Sequence, residues 1–195
     1  MFATNFKFDH RISSIAKKAN KQLGIIRKVV SQRNPETIVS LYKTFVRPHL
    51  EYNSIIWSPY TERNDKLIEK VQKRMCKIIY GIRSQYSYRE QLKRANLLSL
   101  KARRIKHDLI SAYKIKNRML DLNFDDFFSK NPYKKTRGNV FKLLVPKSKK
   151  KIRQNFFTCS VIKHWNKLKS SDINVYNLHL FKKNVLRYLA RHDIW

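Results

Sequence analysis

At 195 residues the chain can hold one sizeable hydrophobic core or two small ones, and its apolar content of 42% is too high for wholesale disorder. Lys and Arg number 44 against 13 Asp and Glu, a formal charge of +31. Such an excess opposes compaction unless a polyanion neutralises it, and nucleic acid is the usual polyanion because each phosphate contact releases condensed counterions. Two distant cysteines, Cys76 and Cys159, form no C-x-x-C pair, which excludes a zinc ribbon or knuckle on ligand count. No apolar run approaches the ~20 residues that span a bilayer, and Met1–Phe8 has no apolar stretch of signal-peptide length. The expectation is a soluble intracellular protein, of nucleus or cytoplasm, with two small buried thiols.

Only three glycines occur, Gly24, Gly81 and Gly138, which leaves few sharp turns and disfavours an all-β fold. Helical periodicity dominates. Ile12, Ile15, Ala16, Ala19, Leu23, Ile26 and Val30 recur at steps of three and four and form one apolar stripe. Asn34-Pro35 supplies an N-cap followed by Pro at the first helical position. The helix it opens places Ile38, Leu41, Tyr42 and Phe45 on one face, and Pro48 ends or kinks it. Thr61 caps a third helix with the stripe Leu67, Ile68, Val71, Met75, Ile78 and Ile79, and Gly81 suits its C′ position.

Ser87-x-x-Glu90 matches a capping box and opens a short helix around Leu92. Ser99 starts a longer one with Ala102, Ile105, Leu109, Ala112 and Tyr113 inward. Residues 130–151 break the pattern with Pro132, Gly138, Pro146 and nine basic side chains. Within them Val140-Phe141-Lys142-Leu143-Leu144-Val145 is the one candidate strand. Amphipathic segments Phe156–Leu168 and Leu178–Leu189 close the chain. The expected fold class is all-α, with at most a short strand or hairpin near 139–146.

Catalytic signatures are missing. Two-metal nucleotidyl transfer needs carboxylates that hold divalent cations about 3.5–4 Å apart. The one Asp-Asp pair, Asp125-Asp126 in Leu122-Asn123-Phe124-Asp125-Asp126-Phe127-Phe128, lacks a strand–turn–strand setting and reads as a surface acidic turn. There is no G-x-x-x-x-G-K and no G-x-G-x-x-G phosphate loop. The six histidines (His10, His49, His107, His164, His179 and His192) have no metal-ligand spacing with Cys, Asp or Glu. Neither cofactor, metal nor small-molecule substrate is expected, and an autonomous enzyme is not.

The placement of charge carries more than its total. Lys17, Lys21 and Lys28 project almost opposite the first apolar stripe. Lys66, Lys70, Lys73 and Lys77 share one face of the third helix along ~15 Å, with Glu69 read as the sole acid nearby. Such a ridge can follow a phosphate backbone but cannot read base edges by itself; the plain alternative is a solvated helix face. Tyr42, Phe45, Tyr52, Trp57, Tyr60 and Trp165 sit among apolar positions and read as core rather than base-stacking residues. The run Lys147-Ser148-Lys149-Lys150-Lys151-x-Arg153 fits a nuclear-import or RNA-binding patch and equally a flexible cationic loop.

Val46-Arg47-Pro48-His49-Leu50-Glu51-Tyr52, Trp57-Ser58-Pro59-Tyr60 and Leu67-Ile68-Glu69-Lys70-Val71-Gln72-Lys73-Arg74 together resemble the thumb of LINE-type, jockey-like non-LTR retrotransposon reverse transcriptases. Phe8-Asp9-His10-x-Ile12, Lys18-Ala19-Asn20-Lys21 and Leu23-Gly24 resemble that family's junction from palm strand to thumb helix. Tyr88-x-x-x-Leu92, Leu97-Leu98-Ser99-Leu100-x-x-Arg103-Arg104 and Asp108-Leu109 are similar to its region beyond the thumb. Phe156-Phe157, Trp165-Asn166-x-Leu168 and Phe181-Lys182 are similar to its closing helices. The likeness covers nearly the whole chain, but fingers, palm and upstream endonuclease are absent, and Lys169 replaces the family's Pro after Trp-Asn-x-Leu.

The resemblance implies a thumb that cradles a template–primer duplex by its backbone and a C-terminal region that helps bind element RNA, without polymerase catalysis. The expected organisation is a thumb-like domain at 1–85 with a palm-strand remnant at 1–9, a helical region at 86–129, a basic linker at 130–151 and a helical pair at 152–195. The expected function is a sequence-tolerant grip on template RNA or RNA–DNA duplex. Its candidate contacts are Lys17, Lys21, Lys28, Lys66, Lys70, Lys73, Lys77, Arg103, Arg104, Lys149, Lys150 and Lys151. The rival readings are an interaction module whose exposed face docks on a separately encoded palm, and a relic reading frame.

Overall fold

Helix formation follows local capping signals at several starts, those of α2, α5, α6 and α7 among them. The computed structural model describes residues 8–31, 34–131 and 140–194. Helix α1 (Asp9–Val29) buries Ile12, Ala16, Ala19, Leu23 and Ile26, the expected stripe. In α2 (Pro35–Leu41) the Asn34 side chain accepts the Glu36 amide at 2.9 Å and Pro35 fills the first turn, where no amide partner is lost. Thr61 caps α5 (Glu62–Tyr80) through the Asn64 amide, and Gly81 ends it at φ 85°, a left-handed angle that suits glycine. Ser87 and Glu90 close a reciprocal capping box on α6 (Tyr88–Arg94). The Ser99 hydroxyl accepts the Ala102 amide at 3.1 Å at the start of α7 (Leu100–Lys116).

Pro48 neither ends the second helix nor leaves it regular. The chain stays helical from Pro35 to Glu51, but Tyr42–Val46 forms a π-helical turn that leads into α3 (Arg47–Glu51). Proline has no N–H to return to the preceding turn, and the Thr44 hydroxyl bonds back to the Ser40 carbonyl at 3.0 Å, so the helix widens here. The wider turn shifts the phase by one residue. Val46 is therefore buried beside Tyr42 and Leu50, while Phe45, expected inside, is 53% exposed. The short α4 (Ser54–Trp57) then buries Trp57, whose indole N–H meets the Tyr52 carbonyl at 2.7 Å. Tyr52, also expected inside, is 74% exposed.

The chain divides into two compact units between Arg103 and Arg104, within α7, so the segment 86–129 is shared between them. In the first unit α1 and α5 run side by side in the same direction. Asp9 accepts from Asn64 at 2.6 Å near their starts, and Arg74 donates to Asn20 at 2.7 Å further along. Ile68, Val71, Met75 and Cys76 of α5 meet the α1 stripe, and Tyr42, Leu50, Trp57, Leu92 and Leu97 complete this core. Inside it lies a polar knot. Gln72 is fully buried; its carboxamide accepts the Tyr42 hydroxyl at 2.7 Å and donates to the Tyr88 hydroxyl at 3.3 Å and the Leu98 carbonyl at 3.0 Å. Tyr88 in turn donates to Glu69 at 2.5 Å, and Glu69 accepts the Leu100 amide at 3.1 Å at the head of α7.

The second unit, Arg104–Ile194, comprises the rest of α7 with α8 (Phe124–Phe127), α9 (Lys151–Gln154), α10 (Phe157–Trp165), α11 (Ser170–Ile173) and α12 (Leu178–Arg191). Its core is aromatic: Tyr113 and Phe181 stack at 4.1 Å, and Trp165 lies 6.2 Å from Phe181. The candidate strand at 140–145 is reduced to an isolated antiparallel bridge between Lys130 and Leu143, and no strand occurs among the described residues. The reason is local: the Asn166 side chain takes both the Leu143 amide (2.8 Å) and its carbonyl (2.9 Å), where a further strand would pair. The expected palm-strand remnant lies outside the described residues except for Phe8 and Asp9, which cap and begin α1. Pro132 and Gly138 of the basic linker lie outside them too.

Replacing Gln72 by Leu orphans the Tyr42 hydroxyl and the Leu98 carbonyl in a dry core, with an expected loss of about 2–4 kcal/mol in urea unfolding. The double variant Tyr42→Phe, Gln72→Leu recovers part of that loss, because an apolar pair leaves fewer polar groups orphaned.

Candidate nucleic-acid interface

Helix geometry sets the cation faces. At 100° per residue, Lys66, Lys70, Lys73 and Lys77 fall within about 60° of arc, opposite Ile68, Val71 and Met75. All four are exposed, as are Lys17, Lys21 and Lys28 on the outer side of α1. Glu69, the acid expected beside the α5 row, points instead into the core, to Tyr88 and Leu100. Glu62 does touch the row: its carboxylate lies 2.6 Å from the Lys66 ammonium and is held below the usual carboxylate range by that bond. Both groups are exposed, and such a pair gives way readily to a phosphate. Lys73 lies 5.1 Å above the Tyr88 ring. The row is thus a real surface, with one end tied to an acid.

Beyond Lys77 the parallel course of α1 and α5 creates a feature the row does not reveal. Their C-terminal ends lie together, and between them and the following loop opens a groove of about 1000 Å³. Arg27, Arg74, Lys77 and Arg83 line it with Asn20, Leu23 and Ile78, and the lining includes no acid. Arg74 is oriented by the Asn20 side chain, which is itself anchored to the Ala16 carbonyl at 2.8 Å. Sequence reasoning missed Arg27, Arg74 and Arg83. A helical wheel places Arg27 and Arg74 on the flanks of their apolar stripes, but only the packing of α1 on α5 shows that these flanks face each other.

Two expected contacts are turned away from solvent. Arg103 forms a two-pronged ion pair with Glu51, through Nε to Oε1 and through Nη2 to Oε2 at 2.8 Å, with side chains only 17% and 12% exposed. Glu51 also lies 3.9 Å from Arg47. Arg104 is buried. Their Arg-Arg pattern reads as a basic patch, yet α7 turns both side chains towards protein. Lys149, Lys150 and Lys151 are exposed at the start of α9, and Gln154 reaches back to the Ser148 carbonyl at 2.7 Å, so this run is partly structured. Cations at a helix N-terminus oppose its dipole; local stability does not account for them.

The remaining candidate groups are the aspartate pair, the cysteines and the histidines. Asp125 and Asp126 are exposed in the first turn of α8, and no metal-holding group of three or more His, Cys, Asp or Glu occurs among the described residues. Both cysteines are free and buried, and burial pushes the Cys76 thiol up to about 12, far from nucleophilic range. His10, His49, His179 and His192 are exposed, and His164 lies 3.0 Å from the Tyr188 hydroxyl. No helix among the described residues is long and apolar enough to cross a membrane.

The Arg103→Ala variant leaves Glu51 half-buried beside Arg47 alone, with an expected cost of about 3 kcal/mol in thermal unfolding. Its affinity for nucleic acid stays unchanged in a titration of the folded variant. A second outcome concerns Asp108, which burial pushes up to about 7 while the Arg104 charge pulls the other way. A raised acid binds more protons folded than unfolded, so its contribution declines as pH rises from about 4 to about 7. Asp108→Asn is therefore more stable than the parent above pH 7 and loses that advantage towards pH 4, measured as the difference between two pH–stability curves. Comparison with protein-family models, with curated proteins and with solved structures finds no match to this chain.

Proposed function

We propose that the chain is a sequence-tolerant nucleic-acid-binding module that grips RNA or RNA–DNA duplex through phosphate contacts, without catalysing polymerisation. The carrying observation is the exposed row Lys66, Lys70, Lys73 and Lys77, set opposite the core on a long helix from which Glu69 is turned inward. A cationic row of this kind supplies phosphate contacts and lacks the groups that read base edges. The resemblance to the thumb and following region of LINE-type reverse transcriptases supports the same reading, since a thumb holds a duplex by its backbone. The two free thiols suit a reducing intracellular compartment, nucleus or cytoplasm.

A second reading has its own observation. Tyr52 and Ile56 are exposed within the stretch that most resembles the thumb, at 74% and 45%, and Phe45 just before it is 53% exposed. Large apolar groups left in water suit a docking surface for a partner such as a separately encoded palm. A monodisperse monomer on gel filtration of nuclease-treated extract argues against that role.

Filter binding across a salt series gives a log K that falls by about 0.9 per duplex phosphate neutralised; flat affinity refutes the electrostatic account. Changing Lys66, Lys70, Lys73 and Lys77 together to Ser flattens that slope by about 3–4 and leaves circular dichroism unaltered. Unchanged affinity reduces the row to a solvated face.

A further inference from the structure

The groove at the shared C-terminal ends of α1 and α5 differs in kind from the α5 ridge. Its cations converge from three directions: Arg27 from α1, Arg74 and Lys77 from α5, and Arg83 from the loop beyond. Two helix C-termini add about half a negative charge each, which offsets roughly one of these four positive charges. The site stays strongly positive, and no acid among its lining residues offsets the rest. Three of the four cations are arginines, whose planar guanidinium groups stack on bases as well as bind phosphate. The groove also has an apolar side, made by Leu23, Ile78 and Ile82. Ile82 is 84% exposed, an unusual position for a branched aliphatic side chain that nothing covers.

Shape selects among polyanions. A hollow of about 1000 Å³ is equivalent to a cube about 10 Å on edge. A base-paired duplex does not present its base faces to such a hollow, because they are stacked on one another and only its backbone reaches the arginines. An unpaired strand does, because its phosphates and bases separate. We infer that this groove seats an unpaired stretch of nucleic acid, one or two nucleotides of a single strand, with phosphates on the arginines and a base against Ile78 and Ile82. The inference rests on the nucleic-acid reading above and adds what that reading lacks, a place where base faces are bound. A purely acidic partner such as a carboxylate-rich peptide uses the cations but leaves the apolar wall idle.

Three probes test this by fluorescence anisotropy: labelled oligo-uridine of eight nucleotides, an abasic sugar–phosphate octamer of equal charge, and a blunt 20-base-pair duplex. The wild-type protein binds oligo-uridine about tenfold more tightly than the abasic octamer, because stacking adds to phosphate contact. The double variant Arg27→Ser, Arg83→Ser weakens oligo-uridine about tenfold and flattens its salt slope by about 1.4, while duplex affinity changes less than threefold. Gly24→Phe tests the space without altering charge. A side chain at that exposed lining position meets nothing within 4 Å at its first carbon and removes a mid-helix glycine, so it obstructs the groove while favouring the helix. It too weakens oligo-uridine selectively.

Equal affinity for oligo-uridine and the abasic octamer overturns the inference, as does a loss shared equally by duplex in either groove variant. In both cases salt-dependent duplex binding persists, so the failure is separate from that of the broader reading. A duplex affinity without salt dependence sinks that broader reading instead.

Discussion

Gln72 is a carboxamide with no access to water, within a core built mostly from aliphatic and aromatic groups. A buried amide without partners costs several kilocalories per mole, so the fold is admissible only with its hydrogen bonds made. Those bonds reach the π-helical turn through Tyr42, α6 through Tyr88 and the segment before α7 through Leu98. Elements 16 to 30 residues from Gln72 in the chain are thereby held in one register. The face of α5 opposite Gln72 is then obliged to look outward, and that face carries the lysine row. The outward lysine face is in this sense a consequence of the knot beneath it.

A second economy concerns the acids. With 13 carboxylates against 44 cations, the location of each acid decides what the surface looks like. Glu51 holds Arg103, Glu69 caps the head of α7, Glu90 completes a capping box and Asp9 accepts from Asn64. Glu36, Asp125 and Asp126 stand in first turns, where helix dipoles favour them, and Asp172 lies 4.0 Å from Arg191. Glu62 pairs with the α5 row, at Lys66, while these acids are engaged elsewhere, which leaves most of the α5 face and the α1–α5 groove cationic. The excess of charge is thus concentrated by the same contacts that stabilise the helices.

The two kinds of cation separate cleanly by chemistry. The lysines of the row are flexible point charges on one helix face, suited to a repeating backbone and indifferent to sequence. The groove gathers arginines beside an apolar wall, a combination that discriminates by shape and stacking. Arg103 and Arg104 belong to neither class, since one is paired with Glu51 and the other is buried. A basic dipeptide is therefore a poor guide to surface when acids elsewhere in the chain are positioned to receive it.

Helix starts were readable from the chain alone because their signals are local: Asn34-Pro35, Thr61, Ser87-x-x-Glu90 and Ser99 each act within one turn. The α1 and α5 stripes were readable because burial imposes a period of 3.6 residues. The exposure of Lys70 and Lys77 followed as the complement of those stripes. Phe45 was misplaced because a π turn ahead of Pro48 shifts the phase by one residue, and no periodic rule anticipates an inserted residue. Glu51 and Glu69 acquired their partners Arg103, Tyr88 and Leu100 only in three dimensions, as did the groove of Arg27, Arg74, Lys77 and Arg83. Periodicity determines which way a side chain points from its own helix. Which helix it then meets depends on long-range packing, and only the tertiary structure decided that.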